Sequence, residues 1–194
     1  MTFDNYTIVI TGLGGQGLIR LIQILGNALL NEGHKVITSE THGLSQRGGK
    51  VTCFLRFGKR INAPIPMIGS AEMIIALELT SILDALKYAK PNKTTNLVIS
   101  TYEKQTFNSE DSSLKYILDA LIGVSNNIFI IPAMDVAIGH TSNLKTMNIV
   151  ILGYILNFLP LNKKNVEESL VQYFTGTNLE MNIKAFNEGF KLKY

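Results

Sequence analysis

Ile8-Val9-Ile10-Thr11-Gly12-Leu13-Gly14-Gly15-Gln16-Gly17 stands near the front of a 194-residue chain. The β-branched run reads as a buried strand, and it meets a glycine cluster that suits a tight turn. Beyond it, Leu18, Leu21, Ile22, Leu25, Ala28 and Leu29 recur at spacings of three and four, the mark of a helix with one apolar face. Strand, glycine turn and helix open a βαβ unit. Glycines there allow positive φ and let backbone N–H groups approach a ligand, while the helix N-terminus adds its positive dipole end. A phosphate or carboxylate suits such a turn. Gly12, Gly14 and Gly17 also satisfy the dinucleotide fingerprint G-x-G-x-x-G. A second strand, Lys35 to Glu40, ends on an acid that could meet a ribose hydroxyl. The plainer alternative is that the glycines serve only close helix–strand packing.

Composition narrows the class. The chain is 46% hydrophobic and 17% charged, which fits one ordinary globular domain with enough core to fold. A net charge of +3 is small, the lysines are scattered, and no basic block interleaves with aromatics. This disfavours nucleic acid as a partner. The start of the chain carries no basic region before an apolar run, so no signal peptide is expected and a cytoplasmic location is. One cysteine rules out an internal disulfide, fits a reducing compartment and cannot ligate an iron–sulfur cluster alone.

After the second strand comes Thr41-His42-Gly43-Leu44-Ser45-Gln46-Arg47-Gly48-Gly49, polar and glycine-rich. It lies where the carboxyl end of a strand should be, the edge at which open α/β sheets bind ligands. Arg47, followed by two glycines, could present its planar fork to a phosphate or carboxylate, and His42 could hydrogen-bond or move a proton. Both could equally face water. Val51 to Phe57 alternates as a strand that follows its predecessor too closely for a helical crossover, so it should run antiparallel to it. Cys53 reads as core, and Arg56, on the opposite face, as a residue that pairs with an acid or reaches a partner. Asn62 to Gly69 is an extended proline-containing loop whose Met67 could take part in a subunit contact.

Strands at Glu72–Glu78, Asn96–Ser100 and Asn127–Pro132 alternate with helices at Ser81–Ala89 and Ser112–Ile122. The pattern predicts an α/β fold: a single three-layer α/β/α domain over residues 1–194. Its sheet should be mostly parallel and Rossmann-like, with one antiparallel strand, followed by C-terminal helices. Thr146 to Leu159 is the most apolar piece, too short for a membrane span and interrupted by Asn148 and Asn157. It reads as a buried helix, with a subunit interface as one setting for it. Lys163 to Tyr173 and Asn178 to Phe190 look like amphipathic helices split at Thr175-Gly176-Thr177. No G-x-x-x-x-G-K-[ST] phosphate loop, metal-ligand spacing or nucleophile elbow is present, and the three histidines are scattered. The chain carries a ligand loop and little catalytic equipment, as a part of a larger assembly would.

Two segments together resemble a known family. Gly12-Leu13-Gly14-Gly15-Gln16-Gly17 and the later His42-Gly43-Leu44-Ser45-Gln46-Arg47-Gly48-Gly49 resemble the small subunit of 2-oxoacid:ferredoxin oxidoreductases. The H-G-x-x-Q-R-G-G form is similar to the beta subunit of the indolepyruvate enzyme rather than to the gamma subunits of the pyruvate and 2-oxoglutarate enzymes. Asn148 through Leu152-Gly153 resembles the family's N-x-x-x-L-G helix, and Asn182 to Phe190 its closing helix. Thr41 and Leu44 depart from the family pattern, and residues 101–113 match nothing distinctive.

The resemblance implies an accessory, hetero-oligomeric subunit with no catalytic residue of its own. A larger partner would hold thiamine diphosphate and [4Fe-4S] clusters, decarboxylate an aryl or other 2-oxo acid oxidatively to its acyl-CoA, and pass electrons to ferredoxin. Coenzyme A is the ligand this chain would contact. The residues implied are Gly12, Gly14, Gly15, Gln16, Gly17, His42, Ser45, Gln46, Arg47, Gly48 and Gly49. No metal, nucleic acid or membrane contact is expected.

Overall fold

β1 (Tyr6–Leu13) is buried from Tyr6 to Gly12 and sits inside a six-stranded sheet of order β2-β3-β1-β4-β5-β6. The computed structural model describes residues 4–42, 49–103 and 112–193. After the glycine turn, α1 (Leu18–Asn31) leads to β2 (Val36–His42), and β3 (Lys50–Phe57) follows. β3 runs antiparallel to both of its neighbours, β2 on one side and β1 on the other. β4 (Met73–Ala76), β5 (Asn96–Ser100) and β6 (Asn127–Ile131) continue the sheet parallel to β1. One reversed strand in an otherwise parallel sheet is the expected arrangement. The expected polar segment starts later than its composition suggested, because Thr41 and His42 extend β2 and pair with Thr52 and Val51.

Between β4 and β5, α2 (Ile82–Ala85) is a single turn flanked by 3-10 turns at Leu79–Ser81 and Leu86–Tyr88. The first of these is capped by Glu78, whose carboxylate accepts from Ser81 N–H at 2.8 Å. α3 (Ser112–Val124) precedes β6, and α4 (Ala133–Thr141), α5 (Met147–Ile155), α6 (Lys163–Tyr173) and α7 (Gly176–Lys191) complete the chain.

Alternation along the strands builds two cores. Ile8, Ile10, Cys53, Leu55, Met73, Ile75 and Val98 face α1, α5 and α7; Val9, Phe54, Ile74, Leu97 and Ile99 face α2 and α3. Each fully buried large side chain contributes about 2 kcal/mol of apolar transfer. All nine residues of α5 are buried, which accounts for its apolar sequence inside this chain without a subunit interface. α5 crosses α7 at near-backbone contact, since a Cβ on Gly189 would collide with the carbonyl of Val150.

Arg56 is not an acid's partner among the described residues. It turns inward, 9% exposed, donating to Thr7 Oγ1 (3.3 Å), Asn5 Oδ1 (3.2 Å) and the Ala63 carbonyl (2.6 Å). The side chain thereby pins the proline-containing loop beneath the sheet, while Met67 on that loop is 80% exposed.

Candidate functional site

The carboxyl ends of β1, β4 and β5 lie together, and the glycine turn rises from the first of them. Leu13 pairs with Lys50, so the turn stands beside the point where β3 begins. Gly14 N–H donates to the Gly49 carbonyl at 2.9 Å. The two glycine-rich segments, far apart in sequence, are therefore joined by a backbone hydrogen bond. Lys50 also reaches Asp84 at 2.8 Å, tying this corner to α2 through a half-exposed pair.

Gln16 holds the turn's shape. Its Oε1 accepts from Leu13 N–H at 2.7 Å, and its Nε2 donates to the Leu77 carbonyl at 3.2 Å. The amide bridges the end of β1 to the end of β4, with both functions occupied inside the protein. Gln16 therefore shapes the turn, and its amide is spent inside the protein. Gly12 leaves the space that this side chain fills, because a Cβ there would lie 2.6 Å from Gln16 Oε1.

Gly17 caps α1 in the left-handed region, φ 80° and ψ 27°. No side chain caps this helix and no acid stands in its first turn, so the N–H groups of its first residues lack intrahelical acceptors. Asn148, at the start of α5, donates from Nδ2 to the Gly17 carbonyl at 3.2 Å. A Cβ on Gly17 would lie 2.5 Å from that nitrogen. Glycine is required there twice, by backbone and by neighbour.

Gly15, Gln16 and Gly17 form one wall of a cleft of about 510 Å³. The opposite walls come from the segment entering α5, from Tyr102 beyond β5, and from Phe174 and α7. The position is the crevice outside the strand ends, where the connections from β1 and β4 leave in opposite directions. Glu40, by contrast, is two strands away from β1, because β3 intervenes. The acid that a dinucleotide fold uses on the ribose belongs to the strand adjacent to β1, so the fingerprint's second half is not met here.

Three comparisons bear on this arrangement. A family model described as pyruvate ferredoxin/flavodoxin oxidoreductase matches residues 7–192. The chain belongs to that family. Among its relatives, the indolepyruvate oxidoreductase subunit IorB of Archaeoglobus fulgidus is 33% identical, over 94% of this chain and 92% of that one. The pyruvate/ketoisovalerate oxidoreductases common subunit gamma of Thermococcus kodakarensis is 28% identical, over 92% of each. The gamma subunit of a keto/oxoacid ferredoxin oxidoreductase from Geobacter sulfurreducens superposes with a TM-score of 0.70 at 19% identity, covering 96% of both chains. A 2-oxoglutarate:ferredoxin oxidoreductase of Magnetococcus marinus gives 0.73 at 19% identity, with 97% of this chain matching 31% of that longer one. At that identity the structures show the fold alone.

The structure of this family member gathers Gly12, Gly14, Gly15, Gln16, Gly17 and Gly49 at one corner, and His42 closes β2 opposite Val51. Ser45, Gln46, Arg47 and Gly48 lie outside the described residues. Sequence reasoning gave no binding role to Arg20, Asn143, Lys145 or Asn178, which line the cleft. Arg20 had one signal, its place in the first turn of α1. Asn148 stood out in the sequence as an interruption of an apolar run and, with Asn182, as family resemblance, and the fold gives both a place in the cleft wall. No group of three metal-ligating side chains occurs among the described residues, and no helix among them is long and apolar enough to cross a membrane.

Proposed function

We propose that this chain is the accessory subunit of a thiamine-diphosphate- and iron–sulfur-dependent 2-oxoacid:ferredoxin oxidoreductase. Its 2-oxo acid is indolepyruvate or another aryl pyruvate, and the chain helps receive coenzyme A for the acyl transfer. The Gly14 to Gly49 hydrogen bond carries this reading, because it joins the glycine turn to Gly49, two residues along the chain from Arg47. Backbone N–H groups of Gly15 and Gly17, in a turn shaped by Gly12, Gly14 and Gln16, face the phosphates. Arg47, between Gln46 and the pair Gly48-Gly49 in the sequence, adds a bidentate cation, and His42, Ser45 and Gln46 are the further candidates.

The reacting groups belong to a larger partner in a hetero-oligomer of the cytoplasm. Thiamine diphosphate supplies the decarboxylating carbanion chemistry when bound there, and [4Fe-4S] clusters carry electrons on to ferredoxin. Cluster ligation needs several thiolates, whereas Cys53 is alone and fully buried in β3. The names of the relatives support the 2-oxo acid, since indolepyruvate oxidoreductase subunits match at 28–33% identity over 92–96% of their own lengths.

The test is the Arg47→Ala variant in the enzyme purified anaerobically with its partner. The KM for coenzyme A should rise about tenfold, the effect of losing one charge-assisted contact. The KM for the 2-oxo acid should stay unchanged. Wild-type dependence on coenzyme A would refute the role, and a chain that purifies colourless and without a large partner would refute the assignment itself.

A further inference from the structure

The end of the sheet opposite the glycine turn carries the chain's surplus positive charge. There β1, β2, β4 and β5 begin, and β3, running the other way, ends. The connections at that end hold Lys35, Lys59, Arg60, Lys87, Lys90 and Lys93. Backbone bonds draw them together: Gly58 N–H donates to the Lys35 carbonyl, Arg60 N–H to Asp4, and Asn96 N–H to Glu72. Against these six cations stand three carboxylates, Asp4, Glu32 and Glu72, so the surplus equals the +3 of the whole chain. Among the described residues, the ion pairs here are Arg60–Asp4 at 3.9 Å and Lys90–Glu72 at 2.7 Å. Glu32 is spent on Asn162 N–H and Asn165 Nδ2. Lys35, Lys59, Lys87 and Lys93 are left without a carboxylate.

Between these cations the chain turns apolar side chains outward. Met67 and Ile68 are 80% and 73% exposed, the two largest such exposures among the described residues, and Ile65 is 55% exposed. Their loop is tied down along its length. Arg56 holds the Ala63 carbonyl, Ser39 Oγ donates to the Pro64 carbonyl at 3.0 Å, and Ser70 Oγ to the Met67 carbonyl at 2.6 Å. Pro64 and Pro66 fix two further φ angles. Gly69 N–H donates to the Lys87 carbonyl at 3.0 Å, which sets Met67 and Ile68 beside Lys87, while Lys59 and Arg60 flank the start of the loop. A fixed apolar centre with a charged rim is the anatomy of a protein interface. Little freedom is lost when such a loop docks. The rim also selects the partner: a second copy across a twofold axis would set these cations against themselves, whereas an acidic surface would match them.

We propose that this end of the domain docks onto an acidic face of the larger partner subunit. Ile65, Met67 and Ile68 enter an apolar pocket there, and carboxylates around that pocket meet Lys59, Lys87 and their neighbours. The partner's identity rests on the accessory-subunit reading; the surface itself does not. Because it lies at the far end of the strands from the glycine turn, it serves assembly and leaves coenzyme A untouched.

The experiment follows, anaerobically, the association of the full-length chain with its large partner by biolayer interferometry. Met67→Ser/Ile68→Ser should raise Kd at least tenfold, mainly through faster dissociation, by removing two apolar anchors. Lys59→Glu/Lys87→Glu should slow association about tenfold and flatten its dependence on salt. Both double variants should keep the melting temperature of the wild-type chain, since the altered side chains face outward. Once saturated with partner, both should keep the wild-type KM for coenzyme A. Ile122→Ser, at an exposed position on α3, should change neither rate. Wild-type rates in both double variants would overturn the proposal and leave the accessory-subunit reading standing. Self-association of the chain that Met67→Ser/Ile68→Ser abolishes, with assembly intact, would assign the surface to a second copy instead. Lysine-dependent binding to phosphatidylglycerol vesicles, with assembly intact, would assign it to a lipid surface. Failure of the wild-type chain to associate with any large subunit would remove the accessory-subunit reading, and this proposal with it.

Discussion

Gly17→Ala should damage this protein in two separable ways. Alanine would have to sit at φ 80°, a left-handed conformation that costs a residue with a Cβ roughly 1–2 kcal/mol. The new methyl would also lie 2.5 Å from Asn148 Nδ2. A side-chain amide can move aside, but its hydrogen bond to the Gly17 carbonyl, 3.2 Å long, would then be lost at a further cost of about 1 kcal/mol. The sum is about 2–3 kcal/mol.

Gly15→Ala is the internal standard. Gly15 also has positive φ, at 96°, but open space surrounds its Cβ position, so that variant carries the backbone cost alone. Chemical denaturation of the wild type, the two glycine variants, Asn148→Ala and the Gly17→Ala/Asn148→Ala double variant gives the cycle. With Asn148 truncated, Gly17→Ala should cost about as little as Gly15→Ala, leaving a coupling energy near 1 kcal/mol. If Gly17→Ala costs the same with and without Asn148, the clamp between the glycine turn and α5 contributes nothing, and the reasoning is wrong.

Other variants test other joints. Gln16→Ala should cost about 1–2 kcal/mol by leaving the Leu13 N–H and Leu77 carbonyl unpaired. Gln16→Glu should rescue little of that loss, because a carboxylate cannot donate to Leu77; denaturation midpoints of the pair decide it. Gly189→Ala sets a methyl against the Val150 carbonyl, and neither helix can retreat from a packed core. A loss of at least 1–3 kcal/mol should follow, read as a lowered melting temperature. Alkaline pH should destabilise the fold. Burial, and then the nearby Glu40 charge, pushes the Cys53 thiol from 9.0 to about 12; burial and then Glu72 push the Tyr6 hydroxyl from 10.0 to about 12. Both groups are therefore held protonated in the native state. Their contribution is complete below the ordinary values and shrinks as pH rises toward about 12. Unfolding midpoints measured across that window should fall less steeply in Cys53→Ala, and a parallel fall would contradict the assignment.

Much of this molecule is decided by neighbours in sequence. The glycine cluster after Ile8-Val9-Ile10 could only be a turn between strand and helix, because glycine supplies backbone angles that other residues pay strain to reach. The spacing of Leu18, Leu21, Ile22 and Leu25 selects a helix, and the short link from β2 to β3 allows only an antiparallel pair. Even the strand Asn96–Ser100 and the helix Lys163–Tyr173 were legible to the residue. These are local effects, and local chemistry writes them into adjacent positions.

Tertiary structure alone decided where β3 would go. Alternation in Val51 to Phe57 names its buried face but not its partners, and its insertion between β1 and β2 carries Glu40 away from the glycine turn. Pairing across the sheet also brings Gly49 to Gly14. The cleft is a still longer-range product: Arg20, the Lys145 to Asn148 stretch and Asn182 belong to three separate parts of the chain. Their meeting depends on α5 and α7 packing closely enough to bring Asn148 onto Gly17. No period or motif encodes that approach; it follows from how the apolar faces of distant helices fill one core, and the polar residues beside those faces are carried along with them.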